Sequence, residues 1–118
     1  MKRLILLLFF FTTGPVLAQD AEETTAAEIR WLDRTTGRLE THLITVGFPL
    51  TLGGLNVHLH ACRYPSGQID LDAFALLNIY GPLNTDQLFE GWMVGSSPAL
   101  NALEHPRYDV WVLRCKTS

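Results

Sequence analysis

Several residues in this 118-residue chain have types and spacings that could do chemistry. His58, His60 and Cys62 alternate along one segment, so an extended backbone would set all three on one face. With His42 they supply the imidazole and thiolate ligands that a transition metal takes. The plainer reading makes them the solvated face of a half-buried strand. Ser96, Ser97, His105 and Asp109 (or Glu104) are the residue types of a nucleophile, a base and an acid, as a small envelope hydrolase would need. No Gly-x-Ser-x-Gly turn surrounds either serine, however. Asp70, Asp72, Asp86, Glu90 and Glu104 offer carboxylates for glycosidase-like acid–base work, but their spacing singles out no pair. Trp31, Trp92 and Trp111 could line a sugar- or peptide-binding surface, or fill the core of a small β domain.

The elements that must position these residues are mostly strands. From Ile29 onward the apolar period is two. Ile29 to Asp33 reads as a first strand, Thr35-Thr36-Gly37 as a tight turn, and Arg38 to Val46 as the return of a hairpin. Phe48 to Leu52 is a short strand that Pro49 confines to an edge or a strand start. Leu55 to Cys62 alternates most cleanly, and Asp72 to Tyr80, Leu88 to Val94 and Tyr108 to Cys115 complete about seven strands. Between the last two, Ser97 as N-cap and Pro98 at the first helical position predict a short helix to about Glu104, stopped at His105-Pro106. The expected fold is therefore all-β and mainly antiparallel, a small barrel or sandwich with one short helix before its last strand.

The chain opens with Lys2-Arg3, an apolar run from Leu4 to Phe11, and small residues ahead of Gln19. This is the pattern of a secretory signal peptide cut after Ala18. The apolar run is too short to span a bilayer, which takes about 20 residues. Its removal takes two positive charges from the formal net charge of -3, so the mature chain is clearly acidic. Nine basic residues against twelve acidic ones argue against a nucleic-acid binder. Residues 19–28 hold four acids and no large apolar side chain, and read as a disordered lead-in to a single β domain over 29–118.

Cys62 and Cys115 are the two cysteines. In an exported chain an even count reads as one structural disulfide, with a free thiol pair or metal ligation as the alternatives. Such a bridge closes a loop long enough to contribute roughly 4 kcal/mol in the chain-entropy picture. No phosphate-binding glycine loop or other cofactor motif is visible.

The run from Gly91 through Trp92, Ser96-Ser97-Pro98, Glu104-His105-Pro106 and Trp111 to Cys115 resembles a family of short exported bacterial proteins, domain-of-unknown-function 2155. Weaker similarity reaches back through Ala73–Leu77, Ala61–Arg63 and the hairpin at Asp33–Arg38. The resemblance implies no reaction and no catalytic residues. Through the usual neighbours of such genes, it implies an envelope partner in a respiratory membrane complex. His58 and His60 lie outside the shared run, and the loop after Cys62 is shorter than in relatives. The expectation is a periplasmic, non-catalytic domain that meets an unknown envelope protein and has no membrane span after signal cleavage. Trp92, Ser96, Ser97, Glu104, His105 and Asp109 form the candidate interaction surface. A small hydrolase or a sugar- or peptide-binding protein is the alternative.

Overall fold

Period-two alternation in the sequence becomes eight antiparallel strands in a computed structural model that describes residues 20–117. They are β1 (Ala21–Thr24), β2 (Ala26–Asp33), β3 (Arg38–Thr45), β4 (Leu50–Leu52), β5 (Leu55–Pro65), β6 (Phe74–Tyr80), β7 (Gln87–Val94) and β8 (Tyr108–Lys116). One sheet runs β1-β5-β6-β7, with β4 also paired to β5, and the other runs β3-β2-β8. The result is a sandwich-like pair of sheets and not a closed barrel. The predicted signal segment lies outside the described residues.

The core lies between the sheets. Ile29 and Trp31 of β2, Val110 and Val112 of β8, Val57 of β5 and Leu77 and Ile79 of β6 are buried, while their neighbours in sequence face outward. Each fully buried aliphatic side chain contributes on the order of 2 kcal/mol. Cys62 on β5 and Cys115 on β8 form a disulfide that ties the two sheets together.

Four details differ from the sequence expectations. The acidic segment is ordered: Ala21 to Thr24 pair with Pro65 to Cys62, and β2 begins at Ala26. Its composition misleads because Asp20, Glu22 and Glu23 are all exposed, while Thr24, Ala26 and Ala27 are buried. Glu22 also accepts bonds from the hydroxyls of Tyr64 at 2.5 Å and Ser66 at 2.9 Å, which hold its carboxyl below the ordinary carboxylate range. Secondly, the helix expected over Pro98 to Glu104 is a single 3-10 turn, Pro98–Leu100, and Ser97 makes no side-chain cap. With Asn101 back in an extended conformation, the turn has no room to continue.

Thirdly, His58, His60 and Cys62 do not share a face. The register of β5 against β6 shifts between Leu59 and Ala61, a β-bulge that resets the alternation. His58 and His60 stay outward, whereas Cys62 turns fully inward to meet Cys115. Lastly, the sixth strand begins at Phe74 and not at Asp72, whose carboxylate accepts from the Ala73 N–H and from Ser96 in the loop after β7.

Candidate functional site

The corner where β2 ends and β8 begins collects most of the singled-out polar residues. Asp33 continues the inward register of Ile29 and Trp31, so a carboxylate sits where an apolar side chain would be expected. Its partner is Arg107, whose Nε and Nη2 donate to the two carboxylate oxygens at 3.2 and 3.0 Å. The Thr35 backbone N–H adds a third bond at 3.0 Å. These contacts, led by Arg107, hold the Asp33 carboxyl down to about 2. Arg107 also stacks over Tyr108, whose ring lies 5.6 Å from the Trp31 ring.

His105 belongs to the same corner, and its bonds are structural. Its Nδ1 accepts the backbone N–H groups of Arg107 at 3.0 Å and Tyr108 at 3.1 Å, which leaves the ring proton of the neutral form on Nε2. Its carbonyl accepts Arg34 Nη1 at 2.6 Å, while Arg34 Nη2 reaches Asp109 at 3.4 Å. Arg34 thereby clamps the hairpin to the turn before β8.

Ser96 is engaged elsewhere. Its hydroxyl donates to Asp72 Oδ2 at 2.8 Å, and its backbone N–H donates to Oδ1 at 2.9 Å. The Ser–His–acid arrangement considered from sequence is therefore not assembled: Ser96 bonds Asp72, His105 bonds backbone, and Asp109 bonds Arg34. Ser97 contributes its carbonyl to the Leu100 N–H. Glu104 is exposed on the segment between the 3-10 turn and β8. The remaining carboxylates are scattered, with Glu90 on the outer side of β7 accepting from Gln87.

The metal reading fares similarly. Cys62 is spent in the disulfide, and His42 lies on β3 of the other sheet, 3.2 Å from Glu40. Among the described residues, no three His, Cys, Asp or Glu side chains are grouped to hold an ion. No described helix is long and apolar enough to cross a membrane.

The three tryptophans take different positions. Trp31 is core. Trp92 is half-buried on the outer face of β7, with the Arg63 guanidinium 5.1 Å from its ring centroid and Phe74 and Ala21 beside a shallow hollow. Trp111 is half-buried on β8, where Asp109, Val110 and Trp111 face Pro98, Ala99 and Ala102 across a groove of about 280 Å³. Of the six predicted surface residues, the structure brings His105 and Asp109 together through Arg34 and leaves Trp92 and Ser96 apart from them.

Sequence reasoning missed Asp33, Arg34 and Arg107, which organise the corner, and offered Asp72 as an acid–base carboxylate and not as the anchor of the Ser96 loop. A charge in the inward register of β2 was the available signal for Asp33, because such a group demands a partner. Nothing local in the sequence pointed to the contact between Asp72 and Ser96, 24 positions apart.

Comparison with known proteins adds a family and a distant relative. The sequence model of a family described as "Uncharacterized protein conserved in bacteria (DUF2155)" matches residues 27–115. A similar chain, the uncharacterized protein RP359 of Rickettsia prowazekii (strain Madrid E), is 27% identical over 103 residues, covering 85% of this chain and 66% of the relative. No solved structure matches.

Proposed function

We propose, from the premise that the chain belongs to the DUF2155 family of uncharacterized bacterial proteins, that it is an exported, non-catalytic β domain serving as an interaction or accessory module in the cell envelope. One observation carries this reading. Ser96, His105 and Asp109 have fold-building partners, whereas several large apolar side chains stand exposed on the outside. Leu39 and Leu43 of β3 are more than half exposed, and Phe48 is 72% exposed. Exposed apolar groups that the core does not use are the ordinary raw material of a protein–protein surface.

The charged N-terminal start, short apolar run and small residues before Gln19 support export to the periplasm. The disulfide fits an oxidising compartment. A respiratory membrane complex is one assembly in which such a module would serve.

Cell fractionation followed by affinity capture from envelope fractions tests the proposal. The expected result is a periplasmic chain recovered with a defined envelope protein. A chain that remains in the cytoplasm, or that is monomeric and alone in the envelope fraction, overturns it.

A second reading is favoured by one feature. Trp92, Phe74 and Arg63 surround an open hollow of about 250 Å³ on the other sheet, the kind of aromatic ledge on which a sugar ring or a peptide side chain stacks. A carbohydrate array separates this reading from protein docking.

A further inference from the structure

We infer that two copies of this chain pair antiparallel through the open edge of β3, with Thr41 of each copy at the two-fold axis. This pairing goes beyond the interaction-module reading and rests on it only for what docks on the joined surface.

Strand β3 has one neighbour, β2, in the sheet β3-β2-β8. The Val46 N–H donates to the Thr25 carbonyl, so the backbone of Val46 faces the β2 side. Alternation back from Val46 turns the N–H and C=O groups of Ile44, His42, Glu40 and Arg38 to β2. The β8 side agrees. The Arg34 N–H donates to the Arg107 carbonyl, which sets Leu32 and Arg30 toward β8 and leaves Asp33, Trp31 and Ile29 for β3. Leu39, Thr41 and Leu43 therefore present their backbone groups to the open edge. All three residues are exposed, the leucines by more than half. Beyond Leu43 the edge closes, where the Phe48 N–H donates to the Thr45 carbonyl. Between Leu39 and Leu43 it carries no lysine, no proline and no shift of register against β2, the usual guards against strand pairing.

The occupant is a second copy because this edge is complementary to itself when run antiparallel about Thr41. Leu39 then opposes Leu43 of the second copy, Thr41 opposes its own counterpart, and Glu40 opposes His42. The leucine and threonine pairs exchange both backbone bonds, since these residues face the edge. The Glu40–His42 pairs fall at the closer positions without backbone bonds, where side chains meet. Each kind of pair is a favourable cross-strand neighbour. Within one chain Glu40 already meets His42 at 3.2 Å and Arg38 at 2.9 Å, and a carboxylate has lone pairs for a further imidazole. Both side chains are about a third exposed and so can be reached. Moving the register by two residues opposes Glu40 to Glu40 in one direction and His42 to His42 in the other. Either move also breaks the leucine pairs.

The joined sheet sets Leu39 and Leu43 of both copies on one outer face, next to Leu32 of β2. An envelope partner then meets a wider apolar surface than either copy offers alone. A contact of one short strand is at the small end of interfaces, so dimer and monomer exchange with concentration.

Sedimentation of the purified, oxidised protein over a concentration series, with amide exchange at the same concentrations, tests the pairing. The expected result is a reversible dimer whose formation slows exchange at Leu39, Thr41 and Leu43. The amides of Glu40 and His42 should not change, because they are bonded to β2 in either state. Thr41→Pro deletes an N–H that points at the edge and none that bonds β2. It should weaken the dimer about tenfold or more while the urea midpoint moves little. His42→Glu opposes like charges and should weaken the dimer severalfold, and adding Glu40→Lys should restore it. This second pair of variants decides the matter if the proline variant loses its cooperative urea transition. A chain that stays monomeric up to about 1 mM, where even a weak contact is populated, overturns the inference. So does a dimer that protects other amides or persists in Thr41→Pro. Protection of Leu39, Thr41 and Leu43 only in the presence of a captured envelope protein assigns the edge to a foreign strand and overturns it too. Envelope capture is read separately in cells. A monomer that still captures a partner sinks the dimer alone, and a dimer that captures nothing sinks the interaction-module reading alone.

Discussion

Arg107 grips Asp33 through two nitrogens, at 3.2 and 3.0 Å, and so fastens the end of β2 to the turn that launches β8. The Asp33 side chain is 7% exposed while that of Arg107 is 48% exposed, so an outer cation closes over an inner carboxylate. The fork geometry suits Arg and would not be reproduced by Lys.

This pair predicts an acid-sensitive corner. Asp33 is held at about 2 in the fold against an ordinary 3.8, so the ionised form is favoured by the native state. Its stabilising contribution is complete above the unfolded value and is lost as pH falls from about 4 through about 2. Urea unfolding across that range should show a loss of stability that is smaller in Asp33→Asn, and Arg107→Lys should lower the melting temperature at neutral pH. An identical acid profile in Asp33→Asn would remove Asp33 as the cause.

A second prediction concerns Gly53. It has a φ of +58°, and a Cβ there would lie 2.9 Å from the Tyr108 ring. Gly37, with a φ of +75°, has nothing within 4 Å of the same position. Gly37→Ala should cost about 1 kcal/mol from backbone conformation alone, and Gly53→Ala about 2 kcal/mol or more because the ring must also move. Parallel urea titrations measure the difference, and equal costs would mean that Tyr108 yields freely.

Much of this fold was legible in the sequence because alternation is a local signal. The strands from β3 to β8 and the disulfide all follow from apolar periodicity and a count of two cysteines. The misreadings share a physical cause. The acids at 20, 22 and 23 looked like disorder when counted as composition, yet they are exposed residues of and beside an edge strand whose backbone pairs with β5. The bulge at His60 is set by pairing with β6, which local spacing does not record. The Asp33–Arg107 and Ser96–Asp72 contacts join residues far apart in sequence, whereas the nucleophile, base and acid types were noticed because Ser96, His105 and Asp109 are near in sequence.

Loss of the disulfide should matter to the whole domain. Cys62 and Cys115 are 53 positions apart and join the sheets, so the bridge restrains the unfolded chain over nearly half its length. Cys62→Ala with Cys115→Ala should lose roughly 4 kcal/mol as an upper figure, seen as a lower urea midpoint. Both cysteines are buried, so mild reductant should act on the native protein slowly. A midpoint that does not move would show that packing alone holds the sheets together.

Ser96 should behave as a loop anchor. Its hydroxyl is exposed and bonded to Asp72, so Ser96→Ala should cost no more than about 1 kcal/mol. A fluorophosphonate probe should leave the wild-type protein unlabelled, because no imidazole is bonded to this oxygen. Stoichiometric labelling at Ser96 would contradict the non-catalytic account.

The central claim is that this domain works by holding a partner in the envelope. The most direct measurement places a photo-crosslinking amino acid at position 43, among the exposed apolar residues of β3, and at position 92 on the opposite sheet, in living cells. The account predicts a discrete crosslinked envelope protein from position 43, absent from position 92. A chain that stays uncrosslinked and monomeric from both positions would contradict it.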